Sequence, residues 1–435
     1  MHDLMPFCLF ILLGILMALG LPVAFALGGS ALFFVPFVSH PGDLLFVSYK
    51  VFALMGQESL MTIPLFVLMG LVLEKTGISE RLLLTLAALA PGYRGGLLTS
   101  VILVGAVLAA STGIVGATVV TMGLVSLPAL LEKKCDPSLA CGVIAASGTL
   151  GQIIPPSLVL VLLGDLLGVN VSDLFLGAMV PGGLLVLGYV IYVNGLGFFK
   201  PQLLPLPSVP VEPLSFKKIL GALLGPVILI FTVLGSILFG IATPTEGASC
   251  GVFGAMTLGW MSQRLSPKAL ESCLLGTVQI TGMIFLIIVA AQFFSSVFRM
   301  LEGDRVLVQL VSGHKLDPSM VLFFMLGLIF VLGFFLDFIE ISYIVIPIFL
   351  PMIAAMGLDR LWLGVLMGVN LQTSFLTPPF GFSLFYLKGV APPGITTRDI
   401  YRGVVPFIVI QLIVMGLCLA FPGLVTYLPR SFRRF

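Results

Sequence analysis

The run Gly148-Thr149-Leu150-Gly151-Gln152-Ile153-Ile154-Pro155-Pro156-Ser157 stands inside a long apolar segment and cannot continue it as a helix. Proline lacks a backbone N–H and its ring collides with the preceding turn, so two in succession, close to two glycines, end the helix. Several carbonyls are then left without helical donors. A second run, Gly368-Val369-Asn370-Leu371-Gln372-Thr373-Ser374-Phe375-Leu376-Thr377-Pro378-Pro379, breaks in the same way. An offset of 223 residues places Pro155 on Pro378 and Pro156 on Pro379, and also Pro128 on Pro351 and Asp136 on Asp359. Coincidences among infrequent residue types at one offset indicate an internal repeat. A single Pro-Pro pair could simply kink a span. Two at matched positions, each preceded by Gly, Ser, Thr or Asn, indicate two broken helices.

The rest of the chain reads as protein dissolved in lipid. Of 435 residues, 59% are hydrophobic and 9% charged, against roughly 25% charged in a soluble domain. Apolar stretches recur at Leu4–Leu27, Ile63–Leu73, Leu174–Phe199, Ile219–Ile241, Leu274–Phe298 and Val404–Tyr427. A bilayer core of ~30 Å needs about 20 such residues per helical crossing. No polar segment is long enough for a separate domain, and a net charge of +2 gives no reason to expect nucleic acid as a partner. The first stretch follows Met1-His2-Asp3, with no basic region and no small-residue cleavage site, and so reads as a span rather than a signal peptide. The cysteines Cys8, Cys135, Cys141, Cys250, Cys273 and Cys418 are scattered and read as free apolar side chains. His2, His40 and His314 lie near expected helix ends, so no metal or haem site is expected from them, and no organic cofactor.

Lys and Arg set the orientation. With the N-terminus periplasmic, 13 of the 21 cations fall on the cytoplasmic side, among them Lys75, Arg81, Arg94, Lys133, Lys134 and Lys200. The basic tail Arg430, Arg433 and Arg434 runs against that bias. The proline-rich stretch from Lys200 to Pro213 reads as an extended cytoplasmic linker between two halves. The expected partition is scaffold helices in 1–93, a first repeat in 94–199, the linker in 200–218, further scaffold helices in 219–300, a second hairpin and broken helix in 301–402, and a C-terminal helix in 403–435. The linker and intervening spans reverse the side of entry. The halves are therefore expected to form an inverted repeat, the first hairpin entering from the cytoplasm and the second from the periplasm.

Between Arg94 and Lys133-Lys134 lie 38 mostly apolar residues, with Ser111-Thr112-Gly113-Ile114 near their middle. Two full spans would just fit, but would put an uncharged Ser/Thr/Gly turn in water. A re-entrant hairpin with arms of about 14–17 residues, ~21–26 Å each, stops inside the membrane and returns to the cationic side, and is the preferred reading. The second hairpin spans Met320–Met356, with Gly333-Phe334-Phe335-Leu336-Asp337-Phe338-Ile339-Glu340 at its middle. Unsatisfied carbonyls in lipid cost several kcal/mol each unless something binds them. Unwound carbonyls with Ser and Thr hydroxyls suit Na⁺, a hard cation, and half-helix N-termini favour an anion. One Na⁺ site is expected from Ser111, Gly113, Ser147, Gly148 and Pro155, and another from Gly333, Asp337, Asn370, Thr373 and Pro378; Thr112, Thr149 and Gln372 are assigned to the substrate or its gate. Asp337 either binds the cation or caps the second arm, and Glu340 is expected to face that arm's helix dipole. Asn370 has a rival role as an interhelical hydrogen-bond donor. Thr243-Pro244-Thr245-Glu246 fits a capping box with proline at the first helical position. No arginine in either broken region offers itself to a carboxylate.

At these residues the chain resembles the large membrane subunit (DctM-type) of tripartite ATP-independent periplasmic (TRAP) transporters. The resemblance rests on GTLGQIIPPS at 148–157, ATPTEGA at 242–248, the hairpin run around Leu336-Asp337 and GLDRLWLGVLMGVN with TPPFG across 357–381, and it covers essentially the whole chain. The family's first hairpin tip is usually richer in serine, as in SGSS, so fewer hydroxyls are on offer here. The resemblance implies an all-α, multi-pass protein of the bacterial inner membrane, an inverted-repeat elevator-type transporter with two re-entrant helical hairpins. It implies a Na⁺-driven transport domain sliding on a scaffold and substrates such as C4-dicarboxylates, 2-keto acids or sialic acid. Two partners are implied with it: a small four-helix membrane subunit (Q type) and a periplasmic solute-binding protein (P type). Two rivals are a self-sufficient Na⁺/carboxylate symporter or exchanger and a membrane-embedded hydrolase. The second would need a buried nucleophile–base pair or metal ligands, and no histidine lies mid-span.

Overall fold

The computed structural model describes residues 5–38, 44–77, 85, 95–113, 115–204, 216–306, 309 and 317–432. Within them the chain is helical throughout. Helices α1 (Met5–Ala18), α2 (Val23–Phe34), α3 (Leu44–Met55) and α4 (Thr62–Lys75) come first. The stretch Leu4–Leu27, expected as one span, is therefore two helices. Gly20 turns left-handed at φ +83° and Pro22 follows, and together they end α1 and start α2 in a new direction.

The first hairpin is α5 (Gly96–Thr112) and α6 (Val115–Glu132); the first broken helix is α7 (Pro137–Thr149) and α8 (Leu158–Leu167); α9 (Val171–Phe199) closes the unit. Helices α10 (Phe216–Leu238), α11 (Pro244–Met261) and α12 (Pro267–Met300) intervene. The plan then returns as α13 (Pro318–Leu332) and α14 (Phe338–Ala355), α15 (Arg360–Leu376) and α16 (Phe382–Val390), and α17 (Thr397–Ala420), followed by α18 (Gly423–Phe432). Both second arms are 18 residues long, slightly over the expected range, and each carries its proline inside the helix, Pro128 and Pro351. Among the described residues five helices, α6, α9, α12, α14 and α17, are long and apolar enough to cross a membrane.

The repeat shows in its caps. Asp136 accepts from Leu139 N at 2.9 Å to start α7, and Asp359 accepts from Leu361 N at 2.9 Å and Trp362 N at 3.2 Å to start α15. Such a cap contributes about 1 kcal/mol. Thr243 and Glu246 form the expected capping box at α11. The linker departs from expectation where it is described: Pro201–Leu203 is a short 3-10 turn whose Leu203 carbonyl receives Asp136 N at 3.2 Å. Proline at the first position of such a turn removes only an N–H that would have no partner. Residues 205–215 of the linker lie outside the described residues, as do Arg81, Arg94, Arg433, Arg434 and the three histidines.

The two repeats exchange partners. Helix α7 runs along α17 of the other unit, and α15 packs against α9. At the first crossing a Cβ on Gly403 would strike the Ser138 carbonyl, and one on Gly142 would strike the Gly403 carbonyl. Glycine alone allows backbones this close. Helix α9 also meets α17, where Tyr189 and Phe407 are fully buried with rings edge to face at 5.1 Å, and Gln411 Nε2 donates to Tyr189 OH at 2.8 Å.

Candidate functional site

Each hairpin tip meets a helix break. In the first unit α7 tightens into a 3-10 turn at Leu150–Gln152 and stops; Pro155–Pro156 is cis, and Ser157 is extended before α8 begins. Gly113 ends α5 in a left-handed conformation at φ +62°, and a Cβ there would stand 3.4 Å from Leu158, the first residue of α8. In the second unit α15 stops at Leu376, Pro378–Pro379 is cis, and α16 starts after Gly381. Gly333 at the second tip lies against the side chain of Ser374, which leaves no room for a Cβ.

The breaks leave oxygens over. Ser157 Oγ donates to the Gln152 carbonyl at 2.7 Å, and Ser383 Oγ donates to the Phe375 carbonyl at 2.7 Å. Gln152 and Phe375 are one repeat offset apart, so in each unit a serine from beyond the break satisfies the same carbonyl. Among the described residues no hydrogen bond reaches the carbonyls of Pro155 and Pro378. The Pro379 carbonyl accepts from Tyr401 OH at 2.5 Å.

Ser147, Thr149 and Thr373 are all fully buried, and their hydroxyls donate backwards, to Val143 O at 2.6 Å, Ala146 O at 2.8 Å and Val369 O at 2.8 Å. A hydroxyl whose proton is used in this way keeps lone pairs for a cation. Ser147 faces Gly105 of α5, and Gly148 presses on Val119 of α6, so both arms of the first hairpin close on α7. Asn370 Nδ2 donates to Leu326 O of α13 at 2.7 Å, which is the interhelical role. Asn370 and Thr373 lie inside α15 rather than in unwound chain, because the break begins only at Thr377. Asp337 caps α14 through Phe338 N at 2.7 Å, and Glu340 completes a capping box by accepting from Asp337 N at 3.1 Å. Ser111 and Thr112 end α5, and Ile114 lies outside the described residues.

Gln372 and Gln152 stand apart from these satisfied groups. Both are fully buried, and among the described residues both ends of each amide lack a hydrogen-bond partner. Gln372 lies beside the Tyr189 hydroxyl without an aligned hydrogen bond. Each unsatisfied amide end costs about 1–3 kcal/mol. The two glutamines approach one crossing: a Cβ on Gly368, one turn before Gln372, would stand 3.2 Å from Ile153, the neighbour of Gln152. Gln152 and Ser374 were not singled out from the sequence; a lone amide inside a proline-ended apolar run was the available signal. The structure gathers Gly113, Ser147, Gly148 and Pro155 around the first break and Gly333, Asn370, Thr373 and Pro378 around the second. Among the described residues no group of His, Cys, Asp and Glu could hold a metal ion.

Residues 10–424 match the family described as the tripartite ATP-independent periplasmic transporter, DctM component. The chain is 30% identical over 371 residues to a putative TRAP transporter large permease protein of Haemophilus influenzae, covering 84% of this chain and 90% of that one. It is 27% identical to the C4-dicarboxylate TRAP transporter large permease protein DctM of Vibrio cholerae, over 97% of this chain and 96% of the other. Its fold is similar to that of the Alcanivorax borkumensis YdaH transporter, at a TM-score of 0.65 and 12% identity, covering 88% and 90% of the two chains.

Proposed function

The chain belongs to the DctM component family of tripartite ATP-independent periplasmic transporters, and from that premise we propose that it drives uptake of an organic anion with Na⁺. It is a multi-pass membrane protein of a transporter family, and the chemistry proposed for it is carriage rather than catalysis. The observation that carries the reading is the pair of symmetry-related helix breaks, each closed by a hairpin tip. Each pairs a free proline carbonyl with buried hydroxyls whose protons are already committed, and between them lie Gln152 and Gln372 with polar atoms unanswered. Carbonyl and hydroxyl oxygens from the two breaks would hold Na⁺, and the glutamines with the half-helix N-termini would receive the anion. The C4-dicarboxylate relative supports a carboxylate as that anion. A small membrane subunit and a periplasmic binding protein complete the assembly. The hairpins and broken helices then move as one body against α1–α4 and α10–α12.

Reconstitution tests this. The chain and its small subunit are placed in vesicles with a binding protein loaded with radiolabelled C4-dicarboxylate, under an inward Na⁺ gradient. Accumulation that needs both gradient and binding protein is expected. Equal accumulation under a K⁺ gradient would overturn the Na⁺ assignment, and uptake without any binding protein would mark a self-sufficient symporter.

One contact ties the proposed moving body to its frame. Asp165 at the far end of α8 accepts from Gln57 Nε2 at 2.7 Å and Ser59 Oγ at 3.1 Å, both from the turn before α4. Thr245 of α11 holds the same turn through the Glu58 carbonyl at 3.1 Å and Thr62 at 2.8 Å. Removing one hydrogen bond to a carboxylate costs about 1.5–3 kcal/mol, so Gln57→Ala should shift the population away from this arrangement at least tenfold. Spin labels on α11 and α16 would report it as a redistribution of distances, and an unchanged distribution would show that Asp165 does not restrain the movement.

A further inference from the structure

Between α1 and the second hairpin lies a cavity of about 730 Å³ with almost wholly carbon walls. Leu13, Phe298, Leu336 and Val345 form its buried floor, while Phe324 and Phe335 at its rim are 67% and 60% exposed. It therefore opens sideways, toward the bilayer. Helix α1 lines it from Phe7 to Ala18, a rise of ~16 Å at 1.5 Å per residue. That is the depth of one leaflet of a ~30 Å hydrocarbon core. A cation stands next in the chain to one lining residue. Phe10 packs its ring on Phe294 and Phe298 at 5.1 and 5.4 Å, and the next residue, Arg299, is exposed. Its guanidinium reaches only Ser295, at 3.3 Å to the carbonyl and 3.4 Å to the hydroxyl, and no carboxylate among the described residues pairs with it.

We infer that this cavity is a phospholipid site, holding one acyl chain between α1 and the second hairpin with the lipid phosphate at Arg299. The chain is flexible and one leaflet long, fills an irregular apolar slot, and leaves its headgroup free to meet the exposed Arg299. The site does not depend on the transported solute.

The full chain in vesicles containing a phospholipid with a diazirine on its acyl chain tests it, with adducts mapped by mass spectrometry after illumination. Labelling of Leu328 and Leu332 should exceed that of the lipid-facing control Ile413 on α17 at least fivefold. Gly14→Trp, at a position where an added side chain meets nothing within 4 Å, should remove that excess and leave Ile413 unchanged. Arg299→Gln should lower labelling by the phospholipid about threefold, but not labelling by a diazirine fatty alcohol, which has no phosphate. Labelling no stronger than at Ile413, or unaffected by Gly14→Trp, would overturn the site; equal losses for both probes with Arg299→Gln would overturn the phosphate contact. Cross-links from Leu328 to another membrane subunit would show that protein, not lipid, fills the cavity.

Discussion

Uptake driven by a Na⁺ gradient should fall about 100-fold or more when Ser147→Ala and Thr373→Val are combined, while the protein still inserts and stays monodisperse. Both side chains are fully buried, and each stands in the last turn of its helix, just before a break. Valine replaces threonine almost atom for atom, and the lost hydroxyls bonded only to helical carbonyls four residues back, so the packing barely changes. Each oxygen offered to a cation is worth about 1.5–3 kcal/mol, or roughly ten- to a hundredfold. The single variants should each lose at least tenfold and raise the Na⁺ concentration needed for half-maximal uptake. A double variant within threefold of the parent would remove both breaks from the Na⁺ pathway.

The largest effect on stability is expected at Gly403. Gly403→Leu should leave no folded protein, because the new Cβ would occupy the place of the Ser138 carbonyl oxygen on α7. Backbone cannot step aside as a side chain can, and separating α7 from α17 would also uncover the Tyr189–Phe407 contact. A cost above ~4 kcal/mol belongs to this kind of core overlap. The control is Gly416→Leu on the same helix, where an added Cβ meets nothing within 4 Å. Thermal unfolding in detergent should find that control close to the parent and the Gly403 variant aggregated on extraction. A monodisperse Gly403→Leu protein with an unchanged midpoint would mean the crossing is looser than described.

Local chemistry was readable in the sequence. Asp136 and Asp359 could be placed as equivalent points because aspartate before a helix caps it wherever it occurs, and the Pro-Pro pairs had to end α7 and α15 because the donors are missing. Other features depend on distant partners. Nothing in Gly142 or Gly403 announces that they touch, since each is one glycine among many on an apolar face. The serine hydroxyls at 157 and 383 satisfy equivalent carbonyls from different distances along the chain, so the repeat offset hides them. Gln152 carries only a weak signal in the sequence, because an amide shows itself as unanswered only when every neighbour is in place. Leu4–Leu27 reads as one span because hydropathy does not register the change of direction at Gly20. Of the two readings at Asp337, the structure shows the cap: its carboxylate accepts from Phe338 N at the start of α14, at the tip of the second hairpin.

The exchange of partners between repeats has a consequence for how the protein is made. As the ribosome delivers the first repeat, the face of α7 that carries Gly142 has no mate, because α17 lies more than two hundred residues downstream. The membrane must shelter a half-finished unit, with a severed helix and open carbonyls, until α17 emerges. Premature stops just before α17 should therefore be as damaging as early ones, and the first unit expressed alone should be cleared by quality-control proteases.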